Sequence, residues 1–187
     1  MKNIILILSL LVCSFAFAQK VKFGIKAGAN ISNFSGGDFS NVDKKALVGF
    51  HGGGYLNFSF LNIAIQPELL VSTQGAKIDS ISGSYDWKLT YITIPAMVMA
   101  KLGPGFYVEA GPQLGFKISD NLENKTFNDL DLSIAGGLGF RGPGGFGIGA
   151  RYTAGLSKVG DFDASSNINP DFKNGVLQLS LYVPLTK

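Results

Sequence analysis

The chain has 187 residues, a formal net charge of +3, 25 glycines, 46% hydrophobic residues and only 16% charged ones. An ordinary soluble domain carries roughly 25% charged residues, and so mild a positive charge excludes an electrostatically held nucleic-acid partner. The mean hydropathy of +0.25 would suit membrane helices. Beyond the N-terminus, however, no apolar run reaches the roughly 18 residues that a helical span requires. Apolar residues are instead interleaved with glycine and polar ones.

The N-terminus accounts for part of the hydrophobicity. Met1-Lys2-Asn3 is followed by an apolar run from Ile4 to Phe17, and Ala16-Phe17-Ala18 fits the small-x-small rule for cleavage between Ala18 and Gln19. Residues 1–18 therefore read as a Sec signal peptide and residues 19–187 as one mature domain. Cleavage removes Cys13, the sole cysteine, so no disulfide framework is expected.

From Val21 onward the pattern has period two, the signature of strands half-buried in a sheet. Val21, Phe23, Ile25, Ala27, Ala29 and Ile31 alternate with Lys22, Gly24, Lys26, Gly28 and Asn30. A second run, about 47–59, sets Val48, Phe50, Leu56 and Phe58 against His51, Tyr55 and Asn57. A third, 61–74, sets Ile63, Ile65, Leu69 and Val71 against Gln66, Glu68 and Ser72. The fourth, 87–101, carries Ile92, Ile94, Ala96 and Val98, and the fifth, 106–118, opposes Phe106, Val108, Leu114 and Phe116 to Tyr107, Glu109 and Gln113. Runs at 130–141, 145–157 and 174–185 repeat the alternation, with Asp131, Arg141, Arg151 and Gln178 on the polar side. Eight runs are thus expected.

Their connections alternate in length. Residues 32–46, 75–86, 119–129 and 158–173 read as long polar loops, whereas Ser59-Phe60, 102–105 and 142–144 are tight turns. That rhythm is characteristic of a membrane barrel with long loops at one end. Pro67, Pro95 and Pro112 fall inside the runs, where a closed barrel has no free edge, so each is expected at a bulge.

Alternation alone does not separate a membrane barrel from a soluble lipocalin-like one, which has the opposite polarity. The polar face decides. A face turned to water should be densely charged, whereas here Gly, Ser, Thr, Asn and Gln dominate and the charges are few. Small polar residues suit a narrow lumen, in which Glu68 and Glu109 are expected to pair with Lys26 or Arg151, because an unpaired buried carboxylate is costly. The fold expected is all-β: an eight-stranded antiparallel up-and-down transmembrane β-barrel in the cell outer membrane, preceded by a signal peptide.

Three stretches also carry a resemblance. Phe23-Gly24-Ile25-Lys26-Ala27-Gly28-Ala29-Asn30-Ile31-Ser32, then Gln66-Pro67-Glu68-Leu69-Leu70 with Gln74-Gly75-Ala76-Lys77, and Tyr91-Ile92-Thr93-Ile94-Pro95 resemble the PorT-type outer-membrane β-barrel proteins of Bacteroidetes. The resemblance implies an eight-stranded barrel with a largely plugged lumen, and raises an accessory role in protein secretion.

Catalytic and metal-binding motifs are weak. His51 is the single histidine, no Ser lies in a G-x-S-x-G context, and position 53, where a His-x-Ser pair would need serine, is Gly. A lipid-modifying barrel enzyme is therefore the less favoured reading. Asp129 with Asp131, and Asp161 with Asp163, lack the ligand spacing of a calcium loop. No catalytic, cofactor or metal residue is assigned. The expectation is a monomeric, non-enzymatic barrel in outer-membrane lipid, working through its long loops on a surface or secretion-machinery protein partner.

Overall fold

The computed structural model describes residues 20–35, 43–80, 83–120, 130–157 and 173–186. Residues 1–18, with the expected cleavage point at Ala18 and Gln19, lie outside them. Eight strands follow in chain order: β1 Lys20–Ser35, β2 Asp43–Phe60, β3 Ile63–Ser80, β4 Gly83–Lys101, β5 Phe106–Asp120, β6 Leu130–Arg141, β7 Gly147–Gly155 and β8 Lys173–Pro184. Each pairs antiparallel with its neighbours in sequence, and β8 pairs with β1 to close the barrel.

The stagger can be followed along one row of paired residues. Val21 leads through Phe58, Ile65, Val98, Ala110, Gly136, Tyr152 and Leu177 back to β1 at Ile31, ten residues further on. With eight strands, a rise of about 3.3 Å per residue and a strand spacing near 4.7 Å, this stagger tilts the strands by about 40° and gives a backbone radius of about 8 Å. Side chains fill an interior of that size, so the barrel has a packed lumen.

Polarity is inverted relative to a soluble protein. Leu138 and Leu181 on the outside are 62% and 60% exposed, whereas Lys26 and Arg151 inside are 0% and 1% exposed. This rules out the soluble lipocalin-like alternative, whose apolar face points inward. The outward apolar positions of β1 run from Val21 to Ile31. At about 2.5 Å of axial rise per tilted residue they span about 25 Å, the height of a lipid-facing band. Phe23, Phe106, Phe140 and Phe146 ring its turn end, and Phe50 and Phe116 stand near its loop end.

Several boundaries differ from the sequence reading. The first turn is Leu61-Asn62, not Ser59-Phe60: Phe60 pairs with Ile63, and Leu61 takes a positive φ of 46°. The turn after β6 extends to Phe146, closed by Gly142 N–H donating to the Phe146 carbonyl at 2.9 Å. The described residues of 75–86 are strand and not loop: β3 and β4 stay paired as far as Ser80↔Gly83. Hydrophobic alternation reports only sheet that has an apolar side, and here the sheet has left the lipid band. β2 accompanies them as far as Asp43↔Asp79, so a three-stranded extension stands above the rim.

The prolines do not sit at bulges. β2/β3 pairing keeps one register from Tyr55↔Glu68 to Phe58↔Ile65 across Pro67, and β3/β4 does so from Pro67↔Ala96 to Leu70↔Thr93 across Pro95. Pro112 pairs in register with Ile134. A missing N–H costs one ladder bond at each site and does not require an inserted residue. The register shifts lie elsewhere, between Ala46 and His51 in β2 and between Thr90 and Tyr91 in β4, toward the loop end.

Candidate functional site in the lumen

Inward positions of the odd-numbered strands carry four central charges. Lys26 on β1, Glu68 on β3, Glu109 on β5 and Arg151 on β7 all reach the barrel centre. The Lys26 ammonium donates to Glu68 Oε2 at 3.0 Å. Arg151 grips Glu68 with both terminal nitrogens, at 2.9 Å and 2.7 Å, and donates from Nε to Glu109 Oε1 at 2.8 Å. Two cations and two carboxylates thus form a net-neutral cluster, the arrangement that burial of charge demands. Bidentate guanidinium–carboxylate pairing adds directionality to it.

Amides extend the cluster toward the turns. Gln66 donates to Glu68 Oε1 at 2.8 Å, and its own carbonyl oxygen accepts from Arg141 Nη2 at 2.7 Å and Asn57 at 3.0 Å. The Arg141 guanidinium lies 4.5 Å from the ring centre of Tyr182, 5.1 Å from that of Tyr55 and 5.4 Å from that of Tyr107. These are cation–π distances. Tyr182 reaches both Arg141 and Lys26 because closure places β8 against β1, with Tyr182 opposite Lys26.

A second group lies toward the loops. Asn30 donates through its amide to Ser72 Oγ at 3.0 Å and to the Thr73 carbonyl at 2.9 Å, leaving its Oδ1 to accept from His51 Nδ1 at 2.7 Å. A neutral His51 then accepts at Nε2 from the Ser180 hydroxyl, 3.0 Å away. Ser180, His51 and Asn30 have the connectivity of a nucleophile, a base and its orienting group. Yet all three are buried, none more than 5% exposed, so the relay is sealed inside the barrel. Sequence reasoning tested His51 against nearby serines and missed Ser180, which lies 129 residues away and arrives by barrel closure. Asp131, weighed earlier for calcium, accepts from Ser157 and Asn174 instead; Asp129, Asp161 and Asp163 lie outside the described residues. Among the described residues no group of three or more His, Cys, Asp or Glu is placed to hold a metal.

A closed eight-stranded barrel with an apolar exterior and a polar, ion-paired interior defines a transmembrane β-barrel protein. Residues 17–161 match the family described as outer membrane protein beta-barrel domain, and the chain belongs to that family. It is an outer-membrane protein. Its fold is similar to that of Neisserial surface protein A, with a TM-score of 0.52 and 15% identity over 88% of this chain and 98% of that one. It is equally similar to Ail, the attachment invasion locus protein of Yersinia pestis, solved with the heparin analogue sucrose octasulfate, with a TM-score of 0.52 and 19% identity over 89% of this chain and 99% of that one. No curated protein matches the chain.

Proposed function

We propose that this chain is a monomeric, non-enzymatic surface-interaction protein whose barrel is a rigid mount for the segments at its long-loop end. The observation that carries this reading is the asymmetry of the barrel's two ends. At one end the strands close in short turns. At the other, β3 and β4 continue nine residues beyond the outward-facing Val71, a rise of about 22 Å along the axis. Such an investment in structure outside the lipid favours contact with a partner there. The plugged lumen argues against a diffusion pore, and the sealed Ser180–His51–Asn30 relay argues against lipid hydrolysis. The fold shared with Ail, an attachment protein by name, adds support.

The test replaces residues 36–42 and 158–172 with short Gly-Ser turns and measures attachment of expressing cells to immobilised sulfated glycans and to surface-protein arrays. Attachment by the parent and its loss in the variant are expected; a parent that binds nothing, or an undiminished variant, overturns the reading. The relay supplies its own check: Ser180 should resist fluorophosphonate labelling and His51→Ala should leave phospholipid turnover unchanged.

A second reading rests on the PorT-type stretches, which fall in β1, β3 and β4: an accessory of a protein secretion system. Deletion that blocks cargo export while loop replacement leaves it intact would favour this alternative. In either case residues 1–18 serve as the Sec signal, and an intact mass of the outer-membrane form beginning at Gln19 checks the cleavage.

A further inference from the structure

The central cluster is self-neutralising, but the cations nearer the turns are not part of it. Below the cluster, at the turn end, the lumen opens into a cavity of about 240 Å³. Lys22, Arg141 and Lys101, whose ammonium also donates to the Leu61 carbonyl at 3.2 Å, line it together with Tyr55, Tyr107 and Met99, and no carboxylate is in its wall among the described residues. Arg141 spends one nitrogen on Gln66, while its Nε is buried without a hydrogen-bond partner. The three tyrosine rings surround the guanidinium at 4.5–5.4 Å and leave its Nε donor unused. Three cations lining a concave site with no carboxylate among its described residues form an anion site by composition, and a guanidinium with an unpaired Nε donor can give a hydrogen bond to a phosphate oxygen.

The rim has a corresponding gap. Gly103, Gly105, Gly142 and Gly145 of the two glycine-proline turns also line the cavity, so that side of the mouth is largely backbone, with Phe106 and Pro184 beside it. Outside it, on the lipid-facing surface, runs an apolar groove of about 520 Å³ bordered by Phe140, Leu138, Ile148, Leu179 and Leu181. Phe106 lines both the cavity and the groove, packed edge-to-face on Phe140 at 5.0 Å. We propose that the turn-end mouth is a phosphate-binding site, with Arg141 as the fork and Lys22 and Lys101 as the flanking charges. The phosphate is either free or the headgroup of an inner-leaflet phospholipid whose chain lies in the groove.

The mature chain keeps two methionines, Met97 and Met99, and only Met99 lines the cavity. Methyl-labelled protein folded in a maltoside detergent, which carries no phosphate of its own, therefore has a reporter and an internal control. Titration with inorganic phosphate should move the Met99 signal saturably and leave Met97 in place. Lys22→Gln with Lys101→Gln should weaken binding at least tenfold while heat-modifiable gel migration shows the barrel intact. Arg141→Lys should bind more weakly than the parent. Titration with short-chain phosphatidylglycerol separates the sources: tighter binding that Phe140→Ala abolishes assigns the lipid, and binding equal to inorganic phosphate assigns the free ion. A Met99 signal that does not saturate with either ligand, or a double lysine variant that binds like the parent, overturns the proposal.

Discussion

Glu68 is the residue on which the lumen's charge balance turns, and Glu68→Gln is the sharpest test of the packing described above. The native carboxylate accepts two hydrogen bonds from Arg151, one from Lys26 and one from Gln66. Neutralising it leaves two cations, each at most 1% exposed, facing the single carboxylate of Glu109. Removing one partner of a buried pair costs about 3–5 kcal/mol, because the remaining charge has neither water nor a counter-ion. With two cations affected, the expected loss lies toward the upper part of that range. The compensating change is Lys26→Met, which returns the cluster to one cation and one anion. The double variant should therefore recover at least about 2 kcal/mol relative to Glu68→Gln alone, a coupling of the size seen for residues sharing one network. Reversible urea unfolding in lipid vesicles, followed by the gel shift between folded and unfolded forms, measures both values. A loss below about 1 kcal/mol for Glu68→Gln, or simple additivity with Lys26→Met, would refute the claim that these charges depend on one another.

Lipid contact predicts a depth profile: Leu179→Arg, near mid-band, should cost about 2–4 kcal/mol, and Val48→Arg, near the loop-end boundary, about 0–1 kcal/mol. Equal costs in vesicle unfolding would count against the 25 Å band. Leu61 holds a φ of 46° while 97% exposed, so it suffers the conformational cost without packing in return. Leu61→Gly should stabilise the barrel by about 1 kcal/mol, read as a higher urea midpoint; a lower midpoint would mean that Leu61 is anchored in lipid. A Cβ added at Gly28 would run into the Leu179 carbonyl and stand 2.8 Å from the His51 ring. Gly28→Ala is expected to lose about 1–3 kcal/mol, and substituting His51 with alanine should relieve only part of it, since the backbone contact remains.

Much of this architecture was readable residue by residue. Every outward residue named on β1, from Val21 to Ile31, faces away from the lumen because a strand's side-chain period leaves a single choice once Lys26 and Asn30 point inward. The extent of β3 and β4 was not readable. Gly75, Ala76 and Lys77 pair as strand above the membrane, where neither face has to be apolar, so their sequence looks like loop. The prolines are poor guides to bulges because a barrel need not mend a missing donor by inserting a residue; here it keeps its register across them. Within the lumen, the charge-bearing positions could be named, but their partners follow from the stagger of ten residues, which fixes heights around the barrel and is invisible in any single strand. The meeting of Ser180, His51 and Asn30 was illegible for the same reason.

The distribution of the four central charges has a consequence for assembly. They sit one on each odd-numbered strand, so every consecutive hairpin of the sheet brings a single lone charge. None of these four charges finds its counter-ion within its own hairpin, so a lone hairpin in lipid would hold its central ion unmatched. The first two hairpins balance through Lys26 and Glu68 and the last two through Glu109 and Arg151, and the Arg151–Glu68 bridge joins the two halves. Charge pairing in the lumen thus disfavours a single hairpin and favours two assembled together, with the Arg151–Glu68 bridge adding to the stability of the complete ring.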